Sequence, residues 1–205
     1  MSDGRVAAVH LARSRAIDGA LYVVTDAAAP APFVAVPTAG AEAVLRARVR
    51  AGDSVVAVAD FPGRDRILRR ASAWGANAIW VGESSRPDDG LATVCVPGDP
   101  RELLADWAES APRLAADPLA IAPAIVECTD EVCITCSDEG RLGEVVAAPE
   151  GLFEPARVRT ADGLEDVDVT IVGQVLPGDL LVIHAGTAIA LVAEPASLPP
   201  IGDPR

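Results

Sequence analysis

The hydrophobic pattern changes its period part-way along the chain, so no single uniform layer of structure can absorb it. Up to about residue 110, short apolar runs alternate with helical repeats; from Gly140 onward, apolar residues recur at every second position. Charge divides in the same region. Residues 1–114 carry 14 acidic residues against 13 arginines, a net of −1, whereas residues 115–205 carry 16 against four (Arg141, Arg157, Arg159, Arg205), a net of −12. Between the two halves runs a Pro/Ala-rich stretch, APRLAADPLAIAPAIV. These shifts predict a domain over 1–114, a linker over 115–127, a second domain over 128–193 and a proline-rich tail over 194–205.

Half of the 205 residues are hydrophobic but only 3% are aromatic, so the cores must be built from Ala, Val, Leu and Ile. Lysine does not occur. Its absence excludes lysine Schiff bases and a P-loop lysine. The net charge of −13 argues against a nucleic-acid partner, which requires a basic face. No run of 18 apolar residues and no signal-peptide core is present, which predicts a soluble, cytoplasmic chain with no membrane partner.

The first half reads as α/β. Residues 54–59 (SVVAVA) follow Gly52-Asp53 as a nearly continuous apolar run, the mark of a parallel strand buried on both faces. A turn, Asp60-Phe61-Pro62-Gly63, leads into a helix on which Ile67, Leu68, Ala71 and Trp74 share one side, with Arg64, Arg66, Arg69 and Arg70 mainly outside. Those arginines read either as a solvated face or as a docking surface for an acidic partner. Gly75 is the expected stop. Strands are expected at 78–82 (AIWVG) and 91–96 (LATVCV), followed by Asp99-Pro100-Arg101-Glu102 as the start of a helix running through Trp107.

The second half reads as a small β-barrel. Val167, Val169 and Ile171 alternate with Asp168 and Thr170 as a strand over 167–171, and turns are expected at 161–163 and 177–179. Strands at 180–183 and 187–193 complete the set. Ahead of the barrel, Cys128, Cys133 and Cys136 lie in a C-x4-C-x2-C pattern; in a reducing compartment such thiolates are metal or redox residues, soft enough for iron, zinc or copper(I). Cys95 reads as a buried small hydrophobe. Of the two histidines, His10 reads as surface. His184 shares strand parity with Leu180 and Val182, and the plain reading makes it a core histidine.

Two family resemblances sharpen these expectations. The segment GDSVVAVADFPGRDRILRRASAWGANAIWVGE resembles the central unit of the SIS (sugar isomerase) domain family, which implies a three-layer, Rossmann-like α/β domain over roughly 40–110. In that family a Ser/Thr-rich turn holds a sugar phosphate at the helix N-terminus; here the turn lacks hydroxyls and begins with Asp60, which implies a structural relic without isomerase activity. Cys133-Ile134-Thr135-Cys136, the strand VDVTIVG and PGDLLVIHAGTAIALV together resemble the HypC/HupF family of [NiFe]-hydrogenase maturation chaperones.

The second resemblance implies an OB-like barrel and a non-catalytic carrier of an Fe(CN)2CO unit. The iron is passed from a HypD-type maturation factor to the hydrogenase large-subunit precursor. The family's essential cysteine corresponds to Cys133 and its barrel histidine to His184, with Cys128 and Cys136 as possible additional ligands. This chain departs from the family in placing Cys133 internally and in following the motif with Ser137-Asp138. The alternatives are a zinc-stapled interaction module using Cys128, Cys133, Cys136 and His184, or an enzyme, either an isomerase or a thiol oxidoreductase using Cys133-Ile134-Thr135-Cys136.

Overall fold

A computed structural model of the chain describes residues 3–58, 61–82, 94–117, 140–151 and 153–192. The first 117 residues build a parallel sheet with helices on both faces. In chain order they form α1 (Asp3–Ala16), β1 (Leu21–Val24), β2 (Val34–Val36), α2 (Ala41–Arg48), β3 (Ser54–Val58), α3 (Arg64–Ala73), β4 (Asn77–Val81), β5 (Val94–Val96) and α4 (Pro100–Ala115). The sheet order is β2-β1-β3-β4-β5, every pair parallel.

Central strands of such a sheet must be apolar on both sides, and β3 is buried at all five positions. Its Val55 and Ala57 join Leu45 of α2 and Leu68, Ala71 and Trp74 of α3 in one core. Its Val56 and Val58 join Leu11 of α1 and Leu104, Trp107 and Ala111 of α4 in the other. Strand, turn, helix and strand therefore fall where the apolar runs put them, within a residue at each described end. Gly75 ends α3 with φ +81°, and Asp99 caps α4 by accepting from the Arg101 amide at 2.8 Å.

The second unit is an antiparallel sheet. It contains β6 (Arg141–Ala147), β7 (Ala156–Thr160), β8 (Gly163–Val167), β9 (Leu180–His184) and β10 (Thr187–Leu191), in the order β10-β9-β6-β7-β8. The sheet curls until its ends touch. Asp168, just past β8, forms a parallel bridge with Thr187; the Asp168 amide donates to the Gly186 carbonyl at 3.0 Å, and the Ala188 amide to the Asp168 carbonyl at 2.8 Å. Val145, Val158, Val167, Leu181 and Ile183 fill the inside.

Four expectations need correction. The helix expected to stop at Trp107 continues to Ala115, because Ala111 extends the buried stripe of Leu104 and Trp107, and Pro112 is carried within its last turn. The strand expected over 167–171 ends at Val167. Beyond it the Asp168 carboxylate accepts from the Thr170 amide at 2.8 Å and hydroxyl at 2.6 Å, a local turn that outcompetes the ladder and leaves Ile171 70% exposed. Arg70 does not lie outside: it is 6% exposed and faces the second unit.

His10 is not a surface histidine. It is half-buried on α1, its Nδ1 is cut off from water without a hydrogen-bond partner, and burial holds its pKa below the ordinary value, with Arg13 adding to the effect and Asn77 opposing it. A base whose folded pKa is depressed binds protons more readily when unfolded. Its contribution is therefore complete above the unfolded pKa of about 6.5 and declines as pH falls from there toward the folded value. Urea midpoints measured across this acid range are expected to fall with pH in the unmodified chain and to fall less in His10→Gln; identical slopes would refute the assignment.

Candidate functional site

Cys128, Cys133 and Cys136 lie outside the described residues, as do Asp60 and the 194–205 tail. Among the described residues no three His, Cys, Asp or Glu side chains gather in a metal-binding group. Cys95 is not in a disulfide and, rather than fully buried, is half-buried against the core between the sheet and α2/α3.

His184 is placed, and its setting differs from that of a core histidine. On β9 the inward residues are Leu181 and Ile183, so His184 stands on the outer face with Leu180 and Val182, half-buried. It ends the strand at a two-residue turn in which Ala185 (φ +48°) and Gly186 (φ +77°) both adopt left-handed backbone, and it pairs with Thr187 across that hairpin. Gly186 supplies that conformation without a steric cost.

The register of the neighbouring strand gives this position its interest. β6 runs antiparallel to β9, with Arg141 opposite Ile183, Leu142 opposite Val182 and Glu144 opposite Leu180. Continued one step back, the same register would set Gly140 across from His184. The chain therefore enters the β unit beside His184, directly after the segment that carries the three cysteines. A side chain at residue 140 would press on Val182, at 3.1 Å from its Cγ1.

At the other end of the same face sits a feature that the sequence reading missed. Glu144 is 3% exposed and receives Arg70 Nη1 at 2.6 Å and Arg46 Nη2 at 2.6 Å on Oε1, while Trp74 Nε1 donates to Oε2 at 2.6 Å. A carboxylate so buried is tolerable only with this many donors. Around it, Arg159 of β7 stacks over the Trp74 ring at 5.1 Å and donates to the carbonyls of Arg46, at 3.1 Å, and Val49. Gly75 lies so close to the β7–β8 turn that an added Cβ would fall 2.8 Å from the Ala161 Cα. Of the α3 arginines, Arg70 docks onto the second unit through Glu144, whereas Arg66 pairs with Glu42 and Arg64 with Asp65 inside the first. The available signal was a lone glutamate inside an apolar strand, RLGEVVA.

The turn before α3, where a sugar phosphate would be expected from the SIS resemblance, borders a cavity of about 430 Å³ lined by Gly40, Gly63, Arg46 and Arg66. A carboxylate of the chain itself already engages these arginines: Glu42 pairs with Arg66 at 2.8 Å and with Arg46 at 3.4 Å. No protein-family model matches the chain, and no curated protein matches it. Among the described residues no helix is long and apolar enough to cross a membrane.

Proposed function

We propose that this chain is a non-catalytic [NiFe]-hydrogenase maturation chaperone of the HypC/HupF type, carrying an Fe(CN)2CO unit as cargo from a HypD-type partner to the large-subunit precursor. The observation that carries the reading is the β6–β9 register. Cys133 is seven residues before Gly140, and a chain of that length can span up to about 25 Å, a reach that allows its thiol to meet His184. Cys136, four residues before Gly140, has a shorter tether.

The chemistry fits a carrier. Iron bound by cyanide and carbon monoxide is a soft, low-valent centre, and a thiolate is the protein ligand suited to it. An imidazole at a strand end, reachable from solvent, completes a two-point hold. A closed set of three or four cysteine and histidine ligands retains its metal, whereas two protein ligands leave the remaining positions to the cargo's own groups and permit release. The barrel reading is supported by the strand order and by the parallel Asp168–Thr187 bridge that closes the sheet, as an OB-like barrel requires. The relic reading of the α/β unit is supported by Glu42, which occupies with its own charge the arginines that a phosphate would need.

The test is co-purification of the tagged chain with a HypD-type partner, followed by infrared spectroscopy and metal analysis. Cyanide and carbonyl bands with about one iron per chain are expected, and only when the partner is present. Stoichiometric zinc that survives a chelator, with no such bands, would overturn the carrier reading in favour of a zinc staple through Cys128, Cys133, Cys136 and His184.

A further inference from the structure

The parallel sheet has a second feature that the carrier role does not use. In the order β2-β1-β3-β4-β5 the connections leave β1 and β3 in opposite directions, which opens a crevice at their carboxyl ends, the place where open α/β sheets bind ligands. A cavity of about 670 Å³ lies there, between the loop after β1, Val58 at the end of β3 and the first turns of α4. Its size is that of a small-molecule site, for which about 300–1,000 Å³ is usual.

The lining is selective. Small apolar side chains, among them Ala28, Ala29, Pro30, Leu104 and Ala105, form its walls. Two of its polar groups already bond within the chain: Thr25 Oγ1 accepts from the Ala27 amide at 3.1 Å, and Asp99 Oδ1 accepts from the Arg101 amide at 2.8 Å, which ties this carboxylate to the start of α4. The Arg101 guanidinium, exposed at the rim, has no ion-pair or side-chain hydrogen-bond partner among the described residues. A ligand rich in hydroxyls, such as a sugar, would find few groups to satisfy it. One anionic head on a short aliphatic body fits both features, since a guanidinium pairs with a carboxylate through two parallel hydrogen bonds and the body covers the alanine and proline wall.

We propose that this crevice binds a small aliphatic monocarboxylate, with Arg101 holding the carboxylate and the Ala28–Pro30 and Leu104–Ala105 walls holding the chain. The proposal is independent of the iron-carrier reading. It is tested by titrating the full-length chain, methyl-labelled at Ala and Leu, with hexanoate, hexylamine and glucose 6-phosphate. Hexanoate is expected to give saturable shifts at Ala28, Ala29, Leu104 and Ala105, and the other two none. Arg101→Gln is expected to weaken hexanoate about tenfold, the loss of a charge-assisted contact. Ala105→Trp fills the crevice and is expected to abolish the shifts. Both substitutions fall at exposed positions, and unchanged Leu45 and Leu68 resonances, in the α/β core on the other face of the sheet, verify the fold. Absence of saturable hexanoate shifts, equal binding of hexylamine or glucose 6-phosphate, or variants that titrate as the unmodified chain does would each overturn the proposal.

Discussion

Glu144→Ala is expected to lower folding stability by about 2–3 kcal/mol, less than the ~3–5 kcal/mol of a wholly uncompensated buried charge, because Arg70 keeps Glu42 at 3.3 Å from its Nε. Arg70 is the residue most affected: it is 6% exposed and its Nη1 is 2.6 Å from the lost carboxylate. Trp74 Nε1 loses its acceptor as well. Arg46 is 45% exposed and recovers much of its hydration, so it adds little. Glu144→Gln keeps the shape and an acceptor for Trp74 but no charge, and is expected to fall between the two. Chemical denaturation checks the magnitude. Small-angle scattering checks the cause, since a clamp between units predicts that Glu144→Ala broadens the particle under conditions where both units remain folded. An unchanged midpoint in Glu144→Ala would remove the clamp from the account.

Cys133→Ala is expected to abolish iron cargo on the chain and, in cells, hydrogenase maturation, because the thiolate is the one soft ligand assigned to the grip. His184→Ala is expected to be milder, leaving the sulfur attached while weakening retention by at least about tenfold, one coordinate bond having been lost. Its fold should survive, since His184 stands on the outer face of β9 and outside the Val145–Leu181–Ile183 core. The order of severity discriminates between mechanisms. A zinc staple predicts that Cys128→Ala, Cys133→Ala, Cys136→Ala and His184→Ala all destabilise the chain together. The carrier predicts a normal melting temperature in each of them, with loss of cargo concentrated at Cys133. Maturation at the unmodified level in Cys133→Ala would end the assignment of that residue.

What the sequence could reveal follows from how each part is buried. β3 and β4 are covered on both faces, so their residues read as continuous apolar runs, and the α3 stripe of Ile67, Leu68, Ala71 and Trp74 carries the helical period without interruption. These elements were legible almost to the residue. β8 was not, because its end is decided by the Asp168 carboxylate, which bonds Thr170 locally while the apolar alternation continues to Ile171. The clamp was hidden for a different reason. Alternation tells which residues share a face of a sheet, yet not whether another unit covers that face. The α3 arginines therefore read either as a solvated face or as a docking surface, and nothing local marked Glu144 as the partner of Arg70 across 74 positions of sequence.

The same limit governed the candidate site. Strand parity correctly grouped His184 with Leu180 and Val182 but could not choose the side of the sheet, and the inward set turned out to be Leu181 and Ile183. The pairing of β6 with β9, which sets the start of the β unit beside the end of β9, is a long-range register with no local signature. Along this face the clamp at Glu144–Leu180 and the histidine lie four residues apart on β9, roughly 13 Å. The Glu144 end of the face is thus anchored to the α/β unit, while His184 at the other end is half-buried.

The most direct measurement is X-ray absorption at the iron edge of the chain loaded by its HypD-type partner. The account predicts a shell with one thiolate sulfur at short distance, one imidazole nitrogen and the light atoms of the diatomic ligands, with the sulfur absent in Cys133→Ala and the imidazole absent in His184→Ala. An iron shell without the imidazole in the unmodified chain, or a sulfur contribution that persists in Cys133→Ala, would contradict it.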